Sequence, residues 1–256
     1  QPTPSLSEGL ILMTAPIVLI VGTGDYIGAA IARRFAQGGF VVCLARRNGD
    51  KLTALVDEIS ASGGVAYKFS VDARNEDQTA HLFKIIERDI GALDLVIFNV
   101  GGNVHFPILE TTSRVFRKVW EMACFAGFLT GREAARYMVP RGRGKVFFTG
   151  ASASARGKSG YSAFAAGKAG LRMLAQSMAR ELGPQNIHVA HLIIDAAVDT
   201  KFIRERFRAQ DKDPDRLPED SLMKPSSVAE AYWSLYHQSK DGWSHECDLR
   251  PFSETW

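Results

Sequence analysis

The chain is short of cysteine and nearly balanced in charge, and both shortages narrow what it can be. Only Cys43, Cys124 and Cys247 occur in 256 residues, far apart and without a Cys-x-x-Cys pair. That usage fits a reducing compartment and neither a disulfide framework nor a zinc site. The 31 Lys and Arg against 28 Asp and Glu leave a net charge of +3, and the charges are scattered. No basic face calls for nucleic acid or a membrane surface. The longest apolar stretch, residues 9–21, is broken by Thr14 and Pro16 and is too short to cross a bilayer. With no basic segment before it and no small-residue cleavage site after it, a signal peptide is not expected, and a cytoplasmic location is. The six histidines (His81, His105, His188, His191, His237, His245) show no metal spacing, so no metal is expected. Residues 1–12 read as a leader or upstream extension before Met13, and residues 13–256 as one domain.

What the chain does have is an alternation of apolar runs and helical patterns. Runs of strand length fall at residues 15–21, 40–45, 65–71, 93–100, 145–149 and 187–194. Between them, apolar residues recur at helical spacing, as in Ile27, Ala30, Ile31 and Phe35, or Leu52, Leu55, Val56 and Ile59. Longer helices are expected over residues 111–137 and 164–182. Strands that are apolar throughout imply a parallel sheet covered on both faces. With right-handed crossovers this is a doubly wound α/β domain of about seven strands. Residues 201–224 are charged, contain proline and lack clear periodicity, so they read as a mobile flap before a final helix near residues 227–236.

The first strand runs into Gly22-Thr23-Gly24-Asp25-Tyr26-Ile27-Gly28, and a helix opens there. Glycines at such a turn let the backbone approach a pyrophosphate, and the helix N-terminus supplies donors and a partial positive charge. The alternative is a strand–helix turn that uses glycine for geometry alone.

At this point the chain resembles the short-chain dehydrogenase/reductase superfamily. The resemblance rests on Gly22 with Ile27-Gly28, Asp72 after the third strand, Asn99-Val100-Gly101 after the fourth, Lys168 with Ala169, and Thr200 after the sixth. It implies a Rossmann-type fold and a nicotinamide-dependent oxidoreductase acting on an alcohol or carbonyl of a small-molecule substrate. It also implies that Asp72 holds the adenine amino group, Asn99 braces the central strands, Lys168 binds the ribose hydroxyls and Thr200 binds the nicotinamide amide. At the end of the second strand stand Ala45, Arg46 and Arg47, where NAD-specific relatives carry a carboxylate. A small residue leaves room, and either arginine can pair with a 2′-phosphate. NADP is therefore expected before NAD, although Asp25 would repel that phosphate.

The departures from the family are as informative. The residue four before Lys168 is Phe164, where the family keeps its proton-transferring tyrosine. Thirteen residues earlier stands Ala151 in place of a serine, with Ser152 beside it. Ala123 falls near the position of the relay asparagine, and Asp195-Ala196 replaces a Pro-Gly pair. Tyr26 occupies the second glycine position of the turn, where a side chain narrows the groove or points to solvent. Tyr161, three residues before Phe164, and Ser152 are the candidate substitutes for the missing proton donor. His105 lies in a loop expected to overhang the substrate. Three readings stay open: a reductase with a rearranged donor, a non-catalytic cofactor-binding sensor or interaction protein, or a closed groove with only the fold left. Small residues in the two long helices, among them Ala123, Gly127, Gly167 and Gly170, imply a homodimer or homotetramer through them, with residues 248–256 as a second interface.

Overall fold

The computed structural model describes residues 15–255. The expected leader, the Met13 start and Trp256 lie outside the described residues. Seven strands are seen among them: β1 (Ile17–Val21), β2 (Val41–Arg46), β3 (Val65–Ser70), β4 (Leu93–Phe98), β5 (Gly144–Ala151), β6 (Ile187–Ile194) and β7 (Glu246–Leu249). Eight α-helices accompany them: α1 (Ile27–Gln37), α2 (Thr53–Ala61), α3 (Glu76–Ile85), α4 (Ser113–Trp120), α5 (Ala126–Arg141), α6 (Ser162–Leu182), α7 (Lys201–Arg208) and α8 (Pro225–Tyr236).

The strands form one parallel sheet in the order β3-β2-β1-β4-β5-β6-β7. The chain winds outward from β1 to β3, then returns to begin the other half at β4. Connections leaving β1 and β4 therefore diverge to opposite faces, which opens a crevice at their C-terminal ends. All five residues of β1 are buried. Ile17, Leu19 and Val21 join the core under α3, α5 and α6, while Val18 and Ile20 join the core under α1, α2 and α8. This period of two, apolar on both faces, is why the strand reads as a continuous run.

Three elements differ from the sequence expectation. The helix expected over residues 111–137 is divided by a five-residue π turn, Glu121–Phe125. The stretch expected as a flap is not without structure. Thr200 caps α7 by accepting from the Ile203 amide at 3.2 Å, and Val198 bridges Met223. The seventh strand, β7, had no assigned place because its four residues alternate between exposed and half-buried and carry Glu246 and Asp248.

Two histidines of β6 are enclosed in the sheet. His188 stacks on Trp243 with ring centroids 4.8 Å apart, and its Nε2 contacts the Ser244 carbonyl at 2.8 Å. His191 is fully buried, with Nδ1 3.4 Å from Glu246 Oε2. Burial pushes the His188 imidazolium down to about 4 and lowers His191 as well. A histidine whose folded value lies below its unfolded value of about 6.5 stabilises the fold fully above that pH, and the contribution fades as pH falls toward the folded value. Stability is therefore expected to fall between pH 6.5 and 4.5, before the ion-paired carboxylates titrate. His188 alone accounts for roughly 2–3 kcal/mol of that loss. Urea unfolding across this window checks it. A flat profile, or a drop of equal size in His188→Phe, would contradict it.

Candidate active site

The crevice begins at Gly22, whose φ of +88° is a left-handed conformation open mainly to glycine. The Gly22 and Thr23 amides both donate to the Ala45 carbonyl, at 2.9 and 3.0 Å. A Cβ on Gly22 would lie 2.9 Å from the Asn99 backbone, and one on Gly28 would lie 2.7 Å from Thr23 Cα. Both glycines are thus required by the turn itself, which ties the first strand to its neighbours. Gly24 has open space around it.

Asn99 fixes the other side. Its amide donates to the Val21 carbonyl at 2.8 Å, and its Nδ2 donates to the Gly22 carbonyl at 3.2 Å. Its Oδ1 accepts from Thr149 Oγ1 at 3.0 Å, so one side chain joins the ends of β1, β4 and β5. Between these walls lies a cavity of about 720 Å³. Its lining includes the glycine turn, Ala45, Arg46, Arg47, Asp72, Gly101 and Thr200.

Charges in this cavity are already paired in part. Arg46 Nη1 donates to Asp25 Oδ1 at 2.8 Å, so the carboxylate expected to repel a phosphate is neutralised by its neighbour. Arg74 donates to both oxygens of Asp72, at 2.9 and 2.6 Å, and that guanidinium holds the Asp72 carboxyl below the ordinary range. The pairing partner of Asp72 was missed in the sequence, although it stands only two residues away. Tyr26 is 41% exposed at the mouth, and it does not point free into solvent: its hydroxyl accepts from the Lys201 amide at 3.1 Å. The glycine turn and the start of α7 are joined across the opening.

A second cavity, of about 650 Å³, adjoins the first and shares Ile27, Asn99, Val100 and Gly101 with it. Lys168 stands in its wall. The ammonium donates to the Thr149 carbonyl at 2.8 Å and the Val100 carbonyl at 3.2 Å, and burial pushes it down to about 8. Phe164, one helical turn earlier, is 7% exposed and forms a small apolar cluster with Val119 and Ala163, against which Ala151, Ala153 and Tyr161 pack. Ala123 is fully buried within the π turn.

Tyr161 does not extend the helical face. It is the N-cap residue of α6, just outside the helix, and it lines this second cavity. His105 packs edge-on against its ring at 5.0 Å between centroids. Arg206 of α7 donates to the Tyr161 hydroxyl, so the phenol is an acceptor in that bond, and among the described residues its own proton has no acceptor. Ser152 is placed differently, with its hydroxyl beside the Asp195 carboxylate. Asp195 is 1% exposed. Burial works to raise its carboxyl, yet Arg156, Ser152 and Arg250 together hold it below the usual range. Among the described residues, no cluster of three or more His, Cys, Asp or Glu is placed to hold a metal, and no helix is long and apolar enough to cross a membrane.

A seven-stranded parallel sheet with a glycine turn at its switch point and a buried lysine beside it defines a dinucleotide-binding oxidoreductase fold. The sequence profile of short chain dehydrogenases matches residues 16–211, and the chain belongs to that family. It is similar to the crystal structure of a short-chain dehydrogenase from Rhodopseudomonas palustris, at 52% identity and a TM-score of 0.79, covering 93% of this chain and 99% of that one. It is 31% identical over 187 residues to 2-dehydro-3-deoxy-D-gluconate 5-dehydrogenase of Formosa agariphila, covering 72% of this chain and 70% of that protein. A metagenomic short-chain oxidoreductase in complex with NADP shares the fold at 24% identity and a TM-score of 0.78, covering 92% of this chain and 97% of that one.

Proposed function

We propose that the chain is an NADP(H)-dependent oxidoreductase of a carbonyl or alcohol, with Tyr161 as proton donor in place of the tyrosine that Phe164 displaces. The observation that carries this is the pair of adjoining cavities. A dinucleotide laid across Asn99 to Gly101 has its adenosine half beside Arg46 and Arg47 and its other half beside Lys168 and Tyr161.

When bound, the nicotinamide supplies the hydride. The chain's own residues bind, orient and move the proton. The glycine turn and the N-terminus of α1 receive the pyrophosphate. Lys168 keeps N–H capacity beyond its two carbonyl partners for the ribose hydroxyls. By the family resemblance Asp72 would take the adenine and Thr200, which also lines the first cavity, the nicotinamide amide. Tyr161 has a hydroxyl proton free to give, whereas Ser152 has a carboxylate beside it as the stronger acceptor, so tyrosine is favoured over serine.

The cofactor choice is tested with Arg46→Ala and Arg47→Ala combined. NADP affinity is expected to fall much more than NAD affinity, since each lost charge-assisted contact to the 2′-phosphate is worth ~1.5–3 kcal/mol. Arg46 also pairs with Asp25, so its removal frees a carboxylate that repels NADP and sharpens the difference. Cofactor fluorescence titration reads both affinities, and equal losses would remove the NADP preference. The reading includes a homodimer or homotetramer through α4–α5 and α6, where Phe116, Trp120, Phe128 and Met173 stay 38–51% exposed. Light scattering that finds a monomer at micromolar concentration would remove that part.

A further inference from the structure

One corner of the second cavity has no part in the chemistry described so far. Arg156 lines it, and its guanidinium donates end-on to the buried Asp195, Nη1 to Oδ2 at 2.8 Å and Nη2 to Oδ1 at 2.7 Å. Arg250 Nε lies 3.2 Å from the same carboxylate. Five N–H groups project from a guanidinium in a planar fork. The end-on pair uses two of them, and the other three have no hydrogen-bond partner among the described residues. The group is thus anchored by one edge to a carboxylate that is 99% enclosed, while its side chain remains 40% exposed.

Lys158, two residues further on, lines the same cavity and has no ion-pair partner among the described residues. Lys168 adds a third cation to the lining, and Glu254 is the one acidic residue in it among the described residues. Asp195 stands behind Arg156 and compensates it in part. The balance around the space is positive, and the cation anchored there by a two-point ion pair is a planar fork.

We infer that this corner binds the carboxylate of the substrate, so that the carbonyl compound is an oxo acid. The inference rests on the oxidoreductase reading and names its substrate class. A fixed guanidinium edge matches the two oxygens of a carboxylate, and the ammonium of Lys158 supplies further charge without fixed geometry. Asp195 acts here as a positioning residue, since it orients Arg156 and touches no substrate.

The test uses the full chain loaded with NADPH and a panel of oxo acids, each paired with its methyl ester: pyruvate, 2-oxoglutarate, benzoylformate and levulinate. NADPH loading is read first by cofactor fluorescence; failure there overturns the oxidoreductase reading itself. With loading established, ligand-observed NMR titration is expected to show at least one acid binding tenfold or more tightly than its ester. Lys158→Gln, a change at an exposed loop residue, is expected to reduce that preference several-fold. Arg156→Lys keeps a cation beside Asp195 but loses the fork, and is expected to reduce the preference about tenfold with ester binding unchanged. No preference in any pair, or a preference that survives both substitutions, overturns the inference.

Discussion

Tyr161→Phe is expected to lower turnover of a carbonyl substrate by roughly 10²–10⁴-fold, the usual cost of losing a general acid, with NADPH affinity unchanged. The ring stays to pack on His105, and only the hydroxyl that Arg206 engages is removed. Adding Phe164→Tyr to that variant places a phenol one helical turn before Lys168, at the edge of the same cavity. Part of the lost rate is then expected to return. Ala151→Ser should raise it again, because Ala151 and Phe164 line the same cavity and the two hydroxyls would act on one oxygen in a non-additive way. Steady-state kcat with NADPH reads all three steps. If Tyr161→Phe turns over at the parent rate, the donor is another group; if the triple variant binds NADPH yet never exceeds Tyr161→Phe, the proposed relay geometry is wrong.

The second large effect belongs to Lys168. Lys168→Met is expected to lose about 10–100-fold in NADPH affinity, which corresponds to one or two charge-assisted hydrogen bonds. It should also change how stability responds to pH. The folded value of about 8 lies below the ordinary lysine value of 10.5. Between those two values the unfolded chain binds more protons than the folded one, so the lysine makes the fold more stable as pH rises. From pH 8 to 9, the parent is expected to gain about 1 kcal/mol relative to Lys168→Met, which has nothing to titrate there. Chemical denaturation at the two pH values checks the difference, and parallel curves would mean the ammonium is not desolvated.

The sheet was legible because its strands are buried on both faces. The run at residues 187–194 coincides with β6, and all eight of its residues are buried. β7 has no such run: it sits at the sheet edge with only one neighbour, so half of its side chains stay near solvent and its pattern is weak. The π turn was hidden for another reason, since one extra residue in a helical turn shifts the apolar face without removing it. α7 was read as flap because none of its residues is buried and it is rich in arginine. At the site, the sequence supplied Gly22, Asn99, Lys168, Phe164 and Tyr161. It could not supply partners brought from far along the chain: Lys201 on Tyr26, Arg206 on Tyr161, or Arg156 on Asp195. Asp195 was visible only as a departure from the family pattern, and its meaning lay in a residue 39 positions earlier.

Helix α7 holds both halves of the site at once. Its first residue is tied to the glycine turn through Tyr26, and Arg206, just over one turn further on, is tied to Tyr161. Eight residues in an α-helix span only about 12 Å and tilt as a rigid rod. A substitution that displaces this one short helix therefore disturbs the glycine turn and Tyr161 together.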